Sequence, residues 1–69
     1  MKEKVMMLIE GYKASLETVI KEENKAKIKE QCSRLCAKIW AFYEIDILTF
    51  DEAEQIIGYF INRQVNSCY

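Results

Sequence analysis

The chain contains no proline and only two glycines, Gly11 and Gly58, in 69 residues. Proline and glycine are the residues that most strongly end or weaken helices, so nothing forces the backbone out of a helix over long distances. Apolar residues recur at intervals of three and four, which is the period of an amphipathic helix. The sequence therefore predicts an all-α protein.

Three apolar stripes predict three helices, over about residues 2–21, 25–44 and 50–63. The members of the stripes are, in chain order, Val5, Leu8, Ile9, Tyr12, Leu16, Val19 and Ile20; Ile28, Cys32, Leu35, Ile39 and Phe42; and Ala53, Ile56, Ile57, Phe60 and Ile61. We expect residues 64–69, where the period is lost, to fray. The predicted fold is one domain, a small three-helix bundle made of a helical hairpin and a third helix.

The two predicted boundaries differ in strength. Asn24, in the polar stretch after the first stripe, can end one helix or cap the next, but a single helix from Lys2 to Tyr43 is an open alternative. The third helix has a clearer start, because Thr49 and Glu52 have the spacing of a capping box. We expect the Thr49 side chain to accept from the Glu52 amide and the Glu52 carboxylate to accept from the Thr49 amide.

The cysteines are predicted to be packing residues and not ligands. Cys32 and Cys36 lie on the second apolar stripe, Cys68 lies in the expected tail, and the chain has no histidine. A structural zinc site needs about four Cys or His ligands, and free cysteine behaves as a small buried hydrophobe. An odd number of cysteines without a disulfide framework favours a reducing cytoplasm.

Several function classes are disfavoured. The chain has no histidine and no glycine-rich phosphate loop, so we expect no enzyme and no catalytic, cofactor or metal residues. Charges recur too often for a membrane span, and the apolar run 5–9 is too short for a leader, which suggests a complete small protein. An acidic patch of Asp46, Asp51, Glu52 and Glu54 lacks the EF-hand pattern. It is interpreted as helix capping with a solvated face, or as a surface for a basic partner.

A core of this size rarely supplies more than about 3–5 kcal/mol, and such chains often associate. The apolar residues near the end of the second helix and along the third exceed what one core face can bury. We therefore predict a partner or homodimer interface formed by Trp40, Tyr43, Ile57, Tyr59 and Phe60. Gly58 would let another helix approach closely. The alternative is that a tiny domain simply exposes some apolar surface.

Charge is divided unevenly along the chain. Residues 1–38 carry nine Lys or Arg and six acids, giving +3, whereas residues 39–69 carry one Arg and five acids, giving −4; the sum is the net −1. Such asymmetry can orient a partner or a second copy of the chain.

The leading functional hypothesis is a small cytoplasmic interaction protein that forms a homodimer. It would bind a larger protein and modulate its activity, by inhibition. The abundance of lysine and isoleucine suggests an AT-rich genome, and hence a phage or mobile-element protein acting on a bacterial host enzyme. The alternative is a dimeric DNA-associated accessory or transcription-regulating protein with a basic face on helices one and two. That face would contain Lys21, Lys25, Lys27, Lys29, Arg34 and Lys38.

Overall fold

The computed structural model describes residues 1–68, which form three helices and no strand. The helices are α1 (Lys2–Lys21), α2 (Lys25–Glu44) and α3 (Phe50–Cys68). The molecule measures 34 × 18 × 14 Å, and a 20-residue helix is about 30 Å long, so its length is that of one helix. The predicted all-α, three-helix arrangement is confirmed.

The α1–α2 turn is built by two residues with special roles. Glu23 adopts a left-handed conformation with φ of 58°, and its amide donates to the Ile20 carbonyl at 3.0 Å. Asn24 then caps α2, because its side-chain oxygen accepts from the Lys27 amide at 3.2 Å. The chain therefore reverses direction here, and the alternative of one helix from residue 2 to residue 43 is wrong.

A Schellman motif ends α2. Asp46 has a φ of 62°, and its amide donates to the Tyr43 carbonyl at 3.0 Å. The next amide, that of Ile47, donates to the Phe42 carbonyl at 3.0 Å. These two bonds satisfy carbonyls that the helix end leaves open, and they aim the chain back along the bundle.

The predicted capping box begins α3. The Thr49 amide donates to a Glu52 carboxylate oxygen at 2.9 Å, and the Glu52 amide donates to the Thr49 hydroxyl at 3.2 Å. Both bonds of the motif are therefore present, as the Thr-x-x-Glu spacing predicted.

The C-terminal part of α3 differs from the prediction of a helix end near residue 63 and a frayed tail. The helix continues through Cys68, whose side chain is only 4% exposed. Cys68 lies eleven residues after buried Ile57, which is close to three full turns, so it returns to the same face of α3. This segment therefore stays helical, with Cys68 buried and with Arg63 bonded to Glu17 of α1. Residue 69 lies outside the described part of the chain.

The core runs between the three helices and includes one residue of the α2–α3 connection. Its buried members are Val5, Ile9, Leu16, Cys32, Leu35, Ile39, Leu48, Ala53, Ile57 and Phe60. The buried residues among 1–68 include no polar or charged residue. The interior is therefore apolar, and polar chemistry is confined to the surface.

Candidate protein-binding surfaces

The five residues predicted to form one interface lie in three different places. Phe60 is completely buried and Ile57 nearly so, and both belong to the core. They are therefore covered within the single chain and offer a partner almost no surface. In the sequence, the apolar face of α3 seemed larger than one core could bury. In the structure, the side of that face with Ile57 and Phe60 packs against α1 and α2.

Trp40 and Tyr43 form an aromatic cluster together with Phe50, the first residue of α3. The ring centroids are 5.7 Å apart for Trp40–Tyr43, 6.0 Å for Trp40–Phe50 and 5.8 Å for Tyr43–Phe50. Two of the pairs meet edge to face, the favoured geometry for aromatic rings. Phe50 is 50% exposed and Tyr43 is also exposed, so the cluster presents aromatic surface at the α2–α3 end of the bundle. Phe50 was not predicted.

Tyr59 lies apart from this cluster, on the side of α3 that faces α1. The Lys13 ammonium sits 5.0 Å from the centre of its ring, a cation–π contact between the two helices. Tyr59 therefore takes part in closing the boundary between α1 and α3.

We name the boundary between α1 and α3 the α1/α3 seam, defined by Lys2–Glu52, Lys13–Tyr59 and Glu17–Arg63. The Lys2 ammonium lies 2.7 Å from a Glu52 carboxylate oxygen. These three contacts are spaced along the seam, and they cover it with long polar side chains.

The Glu17–Arg63 contact is bidentate. The Arg63 guanidinium donates to the two carboxylate oxygens of Glu17 at 2.6 and 2.7 Å. This hydrogen bonding lowers the pKa of Glu17 and raises that of Arg63. The parallel fork-to-fork geometry fixes the position of α3 relative to α1 more firmly than a single bond would.

The predicted acidic patch is divided in its roles. The Glu52 carboxylate bonds to Lys2 and to the Thr49 amide, and these contacts, Lys2 first, lower its pKa. Asp46 forms the left-handed turn after α2. Asp51 is exposed in the first turn of α3, where the helix dipole favours negative charge, and Glu54 is exposed just after that turn.

The boundary between α1 and α2 is open, in contrast to the seam. A groove of about 660 Å³ runs along it. We name it the α1/α2 groove, and its lining residues are Lys4, Met7, Leu8, Gly11, Tyr12, Ser15, Gln31, Leu35 and Lys38. Its walls are mainly apolar, its charged members are both lysines, and the described residues that line it include no acid.

Three contacts define the shape of this groove. Apart from its chain neighbours and the adjacent backbone of α1, Gly11 has no heavy atom within 4 Å of where a Cβ would stand, so the groove is open at this point. At one edge, the Lys38 ammonium lies 4.9 Å from the centre of the Tyr12 ring. The Gln31 side-chain amide donates to the Ser15 hydroxyl at 3.1 Å, which links the two walls.

The groove was missed at the level of sequence because Leu8 was assigned to the buried stripe of α1. The structure leaves Leu8 49% exposed and Met7 75% exposed. The signal was present in the run 5–9, since five consecutive apolar residues at 100° each go round the whole helix and cannot all face one core.

The cysteines have the character of packing residues. Cys32 and Cys68 are buried, and burial raises the pKa of the Cys32 thiol. Burial, with the neighbouring Cys32, raises the pKa of Cys36 to about 12. Thiols in this state are poor nucleophiles and poor metal ligands at neutral pH. Within residues 1–68 no group of His, Cys, Asp or Glu is arranged to hold a metal ion.

Comparison with known proteins gives no relative: no family model, no curated protein and no solved structure matches the chain. None of the three described helices is long and apolar enough to cross a lipid bilayer.

Proposed function

We propose that this chain is a non-enzymatic interaction protein that forms a homodimer and binds and inhibits a larger protein. The observation that carries the proposal is the exposed aromatic cluster of Trp40, Tyr43 and Phe50. Aromatic side chains contribute most to interface energetics, and exposed apolar patches on small domains mark contact sites. A phage or mobile-element origin, with a host enzyme as target, is the setting we propose for it.

The chemistry of the polar residues supports binding over catalysis. The thiols of Cys32 and Cys36 are held protonated by burial, so neither supplies a nucleophile at neutral pH. The carboxylates with lowered pKa, those of Glu17 and Glu52, are neutralised by Arg63 and Lys2 across the α1/α3 seam. These perturbed groups hold the bundle together and do not converge on a cavity.

The homodimer is assigned to the aromatic cluster because that surface is apolar and can face its own copy. Isologous contact would place each ring against the same set of rings on the second copy. Sedimentation at several protein concentrations in reducing buffer tests this. We expect twice the mass of one chain for the wild type and one chain's mass for Tyr43→Ser/Phe50→Ser, with unchanged helix content by circular dichroism.

A matched control is Met7→Ser/Leu8→Ser, which removes two exposed apolar side chains from the α1/α2 groove and leaves the aromatic cluster intact. This variant should keep the mass of two chains. A wild type that sediments as one chain at every concentration would contradict the homodimer.

The larger partner is tested by site-specific photo-crosslinking in the cell that encodes the chain. A photoreactive phenylalanine at position 7, 43 or 50 should yield an adduct heavier than two chains at one or more of these sites, whereas the same group at exposed Thr18 should not. The captured protein is then purified, and its activity should fall when wild-type chain is added. An activity that the chain leaves unchanged would contradict the inhibitory function.

A second candidate, DNA binding, is favoured by one observation: Lys21, Lys25 and Lys27 are exposed around the α1–α2 turn. Glu22 and Glu23 are exposed in the same turn and would repel phosphate. Titration of duplex DNA at rising salt tests it, because each phosphate contact releases counterions and steepens the salt dependence. Affinity that Lys25→Glu/Lys27→Glu leaves unchanged would remove this candidate.

A further inference from the structure

The α1/α2 groove has features that specify what can fill it. It is apolar, open to solvent and rimmed by Lys4 on one wall and Lys38 on the other. Its lining on α1 extends from Lys4 to Ser15, which is about 17 Å or three helical turns at 1.5 Å per residue. An open groove of this length suits an elongated ligand, since small-molecule sites are enclosed enough to bury most of the ligand surface.

The polar groups of the groove favour a helix over an extended segment. An extended peptide brings unpaired backbone N–H and C=O groups, which are costly to bury without hydrogen bonds. At the end of the groove marked by Ser15 and Gln31, these two side chains bond to each other, and two polar groups are too few to pair the backbone of an extended segment three turns long. A helix satisfies its own backbone and offers only side chains to the wall.

The charge of the groove selects the sequence of that helix. Lys4 forms no ion pair within residues 1–68, and Lys38 contacts only the face of the Tyr12 ring. Both ammonium groups are therefore available to carboxylates on an occupant, and opposite charge across an interface fixes its register. Two copies of the groove facing each other would instead bring four lysines together.

Pairing the groove with the acidic end of α3 from a second copy is also disfavoured. That contact would join two different surfaces, and heterologous contacts of this type continue into rings or filaments unless the rotation closes. The exposed Met7 at the groove edge suits a foreign helix, because the unbranched thioether adapts to varied apolar surfaces.

We propose that the α1/α2 groove binds an amphipathic helix of the partner protein, about three turns long, with apolar anchors on one face and Asp or Glu on the flanks. This inference rests on the proposed function and names the contact by which the partner is held. The partner's apolar side chains insert over Gly11, and its carboxylates pair with Lys4 and Lys38.

A synthetic peptide tests the inference on the full chain. The probe is a fluorescent helix-favouring peptide of about twelve residues, with leucine at i, i+4 and i+7 and glutamate on both flanks. Its fluorescence anisotropy is titrated with wild-type protein and with Gly11→Leu, which fills the open space of the groove. We expect at least about tenfold weaker binding to Gly11→Leu.

The matched control is Gly58→Leu, because Gly58 is also an exposed helical glycine with nothing within 4 Å of a new Cβ. The same side chain is then added outside the groove, and binding should equal that of wild type. Equal binding to Gly11→Leu and Gly58→Leu would overturn the inference, as would absence of binding to the wild-type chain.

Charge specificity is tested by a swap. Lys4→Glu/Lys38→Glu should lose affinity for the glutamate peptide and gain it for a peptide with lysine at the same positions. Lys21→Glu/Lys25→Glu, which makes the same change in net charge elsewhere, should behave as wild type. Equal binding of both peptides to the wild type would show an apolar groove without the acidic preference, and would overturn the proposal.

Three outcomes distinguish failure of this inference from failure of the proposed function. If Gly11→Leu converts a wild-type dimer to one chain, the occupant is a second copy and the inference fails. If the peptide does not bind but crosslinking still captures an inhibited protein, the inference fails and the proposed function stands. If the peptide binds as described and no crosslinked protein is inhibited, the groove preference stands and the proposed function fails.

Discussion

The two long boundaries of α1 have opposite character, although one helix supplies a wall to each. The α1/α3 seam is closed by Lys2, Lys13 and Glu17, whose long side chains reach partners on α3. The α1/α2 groove has Gly11 within it and Ser15 at one end, and glycine, which has no side chain, and the short serine side chain do not cover it.

The difference teaches that side-chain length decides where a small helical bundle is open. Long charged residues bury their methylene groups over an apolar boundary while their ends remain in water, so they close it without enlarging the core. Small residues at the corresponding positions leave the apolar wall accessible. The open boundary of α1 therefore lies on the side of its small residues Gly11 and Ser15, and the closed boundary lies on the side of Lys13 and Glu17.

The largest effect on stability is expected when two leucines of α1 are compared. Leu16 is completely buried between the helices, whereas Leu8 lies half-exposed in the groove. We expect Leu16→Ala to cost about 2–5 kcal/mol through lost burial and the cavity left behind, which is enough to unfold a domain of this size. Leu8→Ala should cost well under half as much in urea denaturation. Similar losses from both would mean that the groove wall is part of the core.

The second test weakens one end of the seam. Thr49→Ala removes the hydroxyl that accepts from the Glu52 amide, and loss of an N-cap costs about 1 kcal/mol. Thr49→Ser keeps the hydroxyl and should retain most of the stability. The readout is the urea midpoint at neutral pH. A full-sized loss in Thr49→Ser would assign the effect to the methyl group and not to the cap.

The third test acts on the groove side and has the opposite sign. Gly11→Ala should stabilise the protein by up to about 1 kcal/mol, because alanine is the better helix former and its Cβ meets open space. For a domain of this size that corresponds to a rise in melting temperature of about 4–8 °C. A fall in melting temperature would show that the middle of the groove is not open in solution.

Much of the fold was predictable because local signals agreed with one another. The Thr49–Glu52 spacing placed the start of α3, and Asn24 marked the start of α2. The end of α3 was not predictable in this way, since one apolar residue, Cys68, does not make a periodic stripe. Its burial depends on where the neighbouring helices lie.

The candidate surfaces were predictable only in part. Trp40 and Tyr43 are close together, as expected, but their contact with Phe50 depends on the turn that brings α3 back along α2. Phe60 looked surplus because α3 is apolar over much of its circumference. Which of its faces is covered is decided by the three-dimensional arrangement, and no count along the sequence contains that information.

The smallest expected effect concerns the acid sensitivity of the seam. Bonding to Arg63 lowers the pKa of Glu17 below the ordinary value of about 4.3. The folded protein therefore takes up this proton at lower pH than the unfolded chain does. The stabilisation is fully present above the ordinary pKa and is lost as the pH falls through the lowered one. Glu17→Gln should reduce stability at pH 7 and flatten its decline below about pH 4.

The control for this last test is Glu54→Gln, because Glu54 is an exposed acid of α3 that forms no ion pair among residues 1–68. Urea midpoints are measured from pH 7 to pH 3 for both variants. Glu54→Gln should follow the wild-type curve, whereas Glu17→Gln should converge on it only in acid. The Lys2–Glu52 contact persists in both variants. It lowers the pKa of Glu52 as Arg63 lowers that of Glu17, so some loss of stability in acid should remain in each variant. A Glu17→Gln curve that runs parallel to the wild type would mean that the seam is held by apolar packing and not by this ion pair.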